Sequence, residues 1–326
     1  MKNQTSFADF EYDNRKRQTK REKFLDSMDS LIPWKRWVDL IVPFYPNGKR
    51  GRPPRGIETM LRMILLQDWF NLSDEGLEDS IYDSYAFRKF MGLNFLQEQA
   101  PDATTLCKFR ALLNENGLAE QIFGSVKQML DETGKIMHGG TIVDATIIDA
   151  PSSTKNKDGK RDPEMHQVKK GNQWYFGERL HIGADAGTGY IHSVEVTAAN
   201  VSERDIVPSL IREDDEFVYG DAGYSGMEKR EDIKSDPHLS KIDWRTNTQK
   251  PYRKNKWTPG QGTYWYEYME KQKSRVRSKV EYPFLVIKRI FGYRKVRYRG
   301  IAKNREHAFM LCALTNLYML AQAQPA

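Results

Sequence analysis

Eight consecutive residues, Thr141-Ile142-Val143-Asp144-Ala145-Thr146-Ile147-Ile148, constrain the fold more than any other stretch of this chain. They are β-branched and apolar, of strand length, and broken by one carboxylate. Burying an unpaired carboxylate costs several kcal/mol, so Asp144 requires a cation, a metal ion or a water-facing strand end. Taken alone such an acid is more often a structural salt bridge or a turn at the strand end. Asp149, five residues on, points to the opposite face of a continuing strand and would not share a site with Asp144.

The sequence changes character at this strand. Residues 1–135 read mostly as helices. Phe24, Met28, Leu31 and Ile32 recur at helical spacing until Pro33, and 57–69 carries a second apolar face. Ser73 has the look of a cap for a helix through Leu77, Ile81 and Tyr85, and Pro101-Asp102-Ala103 starts another through Leu106, Phe109 and Leu113. After the strand, 175–185 and 190–197 form a hairpin around Gly187-Thr188-Gly189. A short helix follows over 204–212 and a strand over 216–220, while 237–270, rich in Pro, Trp and Gly, resembles no regular element and reads as an insertion. Val276, Val280, Ile287 and Phe291 make a helical stripe, and 306–322 a final apolar helix. Helices followed by strand, hairpin, strand and helices predict an α+β or α/β second domain.

No apolar run approaches the roughly 18 residues of a membrane span. The start Lys2-Asn3-Gln4-Thr5 does not resemble a secretory signal, and Cys107 and Cys312 stand alone without CxxC spacing. The expectation is a soluble protein of a reducing cytoplasm. Charge is unevenly placed. The net charge is +7, yet 251–305 holds 16 Lys or Arg against Glu267, Glu270 and Glu281, and a second basic cluster comprises Arg15, Lys16, Arg17, Lys20, Arg21 and Lys23. A basic run is often only a solvated face. Here Trp257, Tyr264, Trp265, Tyr266 and Tyr268 precede the C-terminal run, and Phe291, Tyr293 and Tyr298 lie within it. Aromatic faces stack on bases while Lys and Arg neutralise phosphates, so the composition favours nucleic acid over a membrane surface. Trp257 and Trp265 are candidates for stacking on DNA, with core packing as the alternative.

Two further carboxylates stand out. Asp221 follows the strand ending at Tyr219-Gly220 and precedes Ala222-Gly223-Tyr224, a setting also typical of plain turn acids such as Asp185. Glu281 is the only acid between Lys271 and Arg305, four residues after Arg277 and seven before Lys288. It either pairs with those cations or joins a metal site to which they deliver DNA. Oxygen ligands on separate elements, without a thiol or His cluster, suit Mg²⁺ better than zinc. No HExxH and no Walker lysine motif occurs, which ranks zinc protease and NTPase chemistry low.

Longer motifs carry a resemblance. They are Val143-Asp144-Ala145-Thr146-Ile147-Ile148-Asp149-Ala150-Pro151-Ser152-Ser153, Arg161-Asp162-Pro163-Glu164-Met165-His166-Gln167, Lys169-Lys170-Gly171-Asn172-Gln173-Trp174, Gly220-Asp221-Ala222-Gly223-Tyr224-Ser225-Gly226 and Lys279-Val280-Glu281-Tyr282-Pro283-Phe284. Through them the chain resembles the DDE transposases of bacterial insertion sequences, within the group named insertion sequence family five, over nearly its whole length. The resemblance implies an α/β fold with a mixed sheet: a ribonuclease-H-like catalytic domain at 136–326, with the insertion at 237–270, behind a helical DNA-binding and dimerisation domain at 1–135. It implies Asp144, Asp221 and Glu281 as a catalytic triad binding Mg²⁺, with Mn²⁺ able to substitute. The implied partners are the terminal inverted repeats of the element and target DNA, met by a homodimer in a bacterial cytoplasm at the nucleoid. The wider superfamily's signature of Tyr, Arg, Glu and Lys is met by Arg277, Glu281 and Lys288, with Ser274 in place of the tyrosine. Arg275, Arg277, Lys279, Lys288, Arg289, Arg15, Lys16 and Arg17 are the expected DNA contacts. Pro283 implies either a bent helix or a helix that starts near Glu281. The rival readings are a transposase-derived DNA-binding protein without catalysis and a nuclease that cuts without joining.

Overall fold

The computed structural model describes residues 14–46, 48, 53–95, 98–157, 159–248 and 261–323. Two compact units emerge, Met1–Leu118 with Leu320–Ala326, and Ala119–Met319. The first is helical, with α1 (Lys20–Leu31), α2 (Trp34–Ile41), α3 (Ile57–Phe70), α4 (Asp74–Asp83), α5 (Tyr85–Met91) and α6 (Ala103–Glu115). Thr19 and Glu22 form a reciprocal capping box at the head of α1, which satisfies two backbone donors that the helix itself cannot. Met28, Trp37, Leu61 and Leu65 are fully buried in its core. The helix read through Leu77, Ile81 and Tyr85 breaks at Ser84, whose hydroxyl caps α5 by accepting from the Phe87 N–H. Residues four apart fit one helix or two in close succession, so spacing alone hides such a break.

In the second unit α7 (Leu118–Glu132) lies with the later elements, Phe123 against Phe309 and Glu120 beside Arg305. A six-stranded mixed sheet follows. Strand β1 (Thr141–Asp149) pairs antiparallel with β3 (Gln173–Asp185), from Thr141 opposite Asp185 to Asp149 opposite Gly177. The short β2 (His166–Lys170) pairs with the start of β3, and β3 pairs antiparallel with β4 (Ile191–Ala198). On the other side of β1, β5 (Phe217–Gly220) runs parallel to it, and β6 (Asp243–Thr246) runs parallel to β5. Antiparallel strands on one flank of β1 and parallel ones on the other make the ribonuclease-H-like sheet.

Strand β6 corrects the reading of 237–270 as irregular. Its Asp-Trp-Arg-Thr sequence lacks apolar alternation because it is a short strand whose residues are half-buried or exposed. Trp244 packs beside Val143, Val218, Tyr224 and Ile242 in the core under this side of the sheet. Trp257 lies outside the described residues. Trp265 is 66% exposed, so core packing does not account for it.

After α8 (Glu203–Leu210) and the short α9 (Glu231–Ser235), α10 (Gln261–Arg277) passes through a 3-10 turn, Ser278–Val280, into α11 (Glu281–Leu285) and a π turn, Val286–Ile290. Pro283 therefore falls in the first turn of α11, just after the 3-10 turn that already interrupts the α-helical bonding. Glu281 heads that segment, the second of the two arrangements its proline allowed. The chain closes on α12 (Ile301–Ala323), where Asn316 both accepts from and donates to the backbone of Ile191 on β4. Among the described residues no helix is long and apolar enough to cross a membrane.

Candidate active site

The parallel pairing of β1 with β5 sets Thr141 beside Val218 and Ile142 beside Tyr219. Carried two residues further, that register brings Asp221 level with Asp144. Both carboxylates thus stand side by side in the middle of the sheet, where β5 has ended and β1 continues. Asp221 is half-buried and caps the 3-10 turn Ala222–Tyr224, its Oδ1 accepting from the Gly223 N–H at 2.7 Å. The turn is tight, since a Cβ on Gly220 would lie 2.9 Å from the Tyr224 ring. Glycine is needed there for the close approach of backbone and ring.

Asp144 is also half-buried, and its Oδ1 accepts from the Ala145 N–H at 2.8 Å. Burial pushes its carboxyl up to about 6, the like charges of Asp221 and Glu203 adding to the rise while the Ala145 N–H and Arg277 oppose it. The Oδ2 atoms of Asp144 and Asp221 have no hydrogen-bond donor among the described residues. Two half-buried carboxylates of like charge, each with one oxygen that no described donor engages, are a donor set that a hard divalent cation such as Mg²⁺ fits.

Sequence reasoning missed Glu203, Tyr224 and Arg179. Glu203 opens α8 and is only partly exposed. Its Oε2 accepts from the Tyr224 hydroxyl at 3.0 Å, and its Oε1 lies 3.5 Å from Arg179, which also donates to the Val201 carbonyl. Tyr224 is buried, and its phenol is pushed well above its ordinary value by that burial and by Glu203, Asp144 and Asp221 around it, so it stays a donor. The only sequence signal for Glu203 was an acid at a helix start, which ordinarily means no more than a favourable helix dipole.

The third expected ligand is placed differently. Glu281 is exposed and lies 3.5 Å from Arg277, whose charge in turn acts on Asp144. Arg277 thus connects it to Asp144 through charge alone, and among the described residues no three His, Cys, Asp or Glu side chains group around one ion position. Ser274, at the departing position of the signature, accepts from the Asn247 side chain just beyond β6 and donates to the Glu270 carbonyl.

The expected DNA contacts divide. Lys279 donates to the Ala186 and Gly187 carbonyls at 2.7 and 2.8 Å and fastens the β3–β4 turn, so its ammonium is engaged within the fold. Lys288 donates to the Ile147 carbonyl at 2.7 Å, and burial holds it below its ordinary value. Arg275 and Arg289 are exposed. Arg15 pairs with Glu22 at 2.5 Å, whereas Lys16 and Arg17 are exposed. Asp185 is the turn acid its sequence suggested, buried and accepting from Met137, Gly187 and Thr188.

Comparison with known families covers both parts of the chain. Residues 136–317 match the family described as Transposase DDE domain, and residues 13–112 match a second, described as Transposase domain (DUF772). No solved structure matches the chain.

Proposed function

The chain belongs to the insertion-sequence DDE transposases, and from that membership we propose that it binds the terminal inverted repeats of its element, cleaves there and joins the freed 3′-ends to target DNA. Membership in insertion sequence family five and action as a homodimer on DNA belong to the same proposal. The observation that carries it is the level placement of Asp144, within β1, and Asp221, just past the end of the adjacent parallel β5, each with one carboxylate oxygen that no described donor engages.

In this reading Asp144 and Asp221 would hold Mg²⁺ or Mn²⁺, and Glu281, not grouped with them in this structure, would complete the ligand set on DNA. Divalent cations bound at such a site activate a water or a 3′-hydroxyl and stabilise the leaving oxygen of a phosphodiester. The protein's part is positional and electrostatic. The Tyr224–Glu203 hydrogen bond pins the turn that carries Asp221, and Arg179 holds Glu203 from behind. Arg277 offers a guanidinium fork to a phosphate oxygen beside the aspartates. Arg275, Lys288, Arg289, Lys16 and Arg17 supply further positive charge along the DNA.

The test is a reaction of the purified protein with labelled DNA carrying the element's ends, in Mg²⁺ and in EDTA, beside Asp221→Ala. Cleavage and joining that need the metal and vanish in the variant are the expected result. Binding of the ends by the wild type without any cut would reduce the protein to a DNA-binding transposase derivative, and cuts without joined product would make it a nuclease.

A further inference from the structure

We propose that the cavity between loop 150–162 and segment 296–299 is a binding site for a backbone phosphate of duplex DNA, about six base pairs from the scissile phosphate. This deepens the transposase reading and rests on it. The cavity holds about 240 Å³, and Lys160, Arg161, Arg297 and Arg299 line it against a single acid, Asp162. Ser153 and Asn156 add neutral polar groups to the lining. That volume is below the roughly 300 Å³ at which small-molecule pockets begin, and it suits a phosphodiester group with its water. Guanidinium forks match phosphate oxygens two at a time, which favours this ligand over an isolated carboxylate or a metal ion.

The walls are built rather than incidental. Segment 294–296 continues the sheet beside β1, the Val296 N–H donating to the Asp149 carbonyl at 2.8 Å and the Asp149 N–H to the Arg294 carbonyl at 3.1 Å. Across the cavity, Arg161 donates to the Ser152 carbonyl at 2.8 Å, and Asn156 and Lys160 exchange two hydrogen bonds that close the loop. Asp162 accepts from the Gly300 N–H at 2.7 Å and Glu164 from the Ile301 N–H at 2.8 Å. The two acids of the Arg161-Asp162-Pro163-Glu164 motif are thereby engaged with backbone donors at the head of α12.

Position relates the cavity to the chemistry. Ala150 in its wall lies six residues beyond Asp144, and β1 runs through Asp149, so at roughly 3.3 Å per strand residue the two are about 20 Å apart. Duplex DNA advances about 3.4 Å per base pair, which gives a spacing of about six for a duplex lying along β1. Between them, Lys170 and Arg294 lie close enough to Lys288 for their charges to act on it, as does Asp149. Three cations therefore gather near the far end of β1, on the way from the aspartates to the cavity.

The exposed pair Lys160→Gln with Arg299→Gln tests the site. The affinity of the full chain is measured against salt concentration on a duplex carrying the element's end and on an unrelated duplex. The expected result is a salt slope reduced by roughly 0.9 for each lost phosphate contact. A methylphosphonate placed about six base pairs from the scissile bond reproduces the weakening in the wild type and adds nothing in the variant. Loss on the end duplex alone assigns the cavity to the element's end, and loss on the unrelated duplex alone assigns it to target DNA. Unchanged slopes on both duplexes, in a variant that melts as the wild type does, overturn the proposal. Cleavage by Asp144→Asn, measured alongside, tests the catalytic reading separately: undiminished cutting sinks that reading and leaves the slopes to decide the cavity.

Discussion

Asp144 on β1 and Glu178 on β3 are two carboxylates withdrawn from water in the same sheet, and burial raises both, Asp144 to about 6 and Glu178 to about 7. Their surroundings are opposite. Glu178 is fully buried and accepts one hydroxyl, from Tyr293 at 2.9 Å, behind which His307 packs edge-on. Asp144 is half-buried, faces Asp221 and Glu203, and keeps an open oxygen. A shifted acid is therefore no mark of a site by itself, since structural pairs shift too. Glu178 too feels a like charge, from Asp162, and keeps its Oε2 unpartnered in the interior; two acids converging on a carboxylate that is only half-buried distinguish the first from the second. The largest expected effect follows. Asp144→Asn should lower cleavage and joining on the order of 10⁴-fold, with thermal stability held or raised because repulsion from Asp221 and Glu203 is removed. Glu178→Gln assayed beside it should keep its chemistry. An equal loss in a folded Glu178→Gln protein would break the distinction.

Glu178 should instead show itself in stability. Its ordinary value of 4.5 is raised to about 7 in the folded protein. Below the lower value both states hold the proton and nothing is lost. Between the two values the unfolded chain ionises while the folded one does not, so stability falls as pH rises and the loss levels off above about 7. The shift corresponds to roughly 3 kcal/mol. Asp144, whose value is also raised, and His181 and His192, whose values burial lowers, add their own pH dependence to both proteins alike, so the measure of Glu178 is the difference between them: from about pH 5 to about pH 8 in urea melts the wild type should lose stability relative to Glu178→Gln by an amount of that order. An equal change with pH in the two proteins would place the sensitive group elsewhere.

Much of this architecture was legible because its signals are local. The β-branched run marked β1, Gly187-Thr188-Gly189 marked the β3–β4 hairpin, and the glycines around Asp221 marked the end of β5. What escaped depends on contacts distant in sequence. Asp144 and Asp221 are level only because β1 and β5 pair in parallel across a long crossover, and no periodicity predicts a parallel register; the resemblance, not the spacing, joined them. Strand β6 escaped because an edge strand of four residues needs no apolar alternation. Lys279 read as one more cation in a basic run, and only the folded β3–β4 turn shows the two carbonyls that engage it. Glu203 carried no motif at all, and its place beside Tyr224 is set by where α8 starts after β4.

Glu203 sharpens the comparison most finely, because it shares features with both acids. Like Glu178 it accepts a tyrosine hydroxyl, and like Asp144 it is one of several like charges that converge. Glu203→Gln separates the two roles: the amide oxygen still accepts from Tyr224, but the negative charge facing Asp144 is gone. If that charge helps hold the cation, Mn²⁺ affinity measured by calorimetry should weaken about 10- to 100-fold, the usual range for a group behind the direct ligands. The melting temperature should hold. Glu203→Ala should differ by also leaving the Tyr224 hydroxyl buried without its acceptor, at a cost of about 1–3 kcal/mol in stability. Wild-type Mn²⁺ affinity in Glu203→Gln, with lowered stability in Glu203→Ala, would move Glu203 to the side of Glu178, as a hydrogen-bond acceptor that fixes a turn.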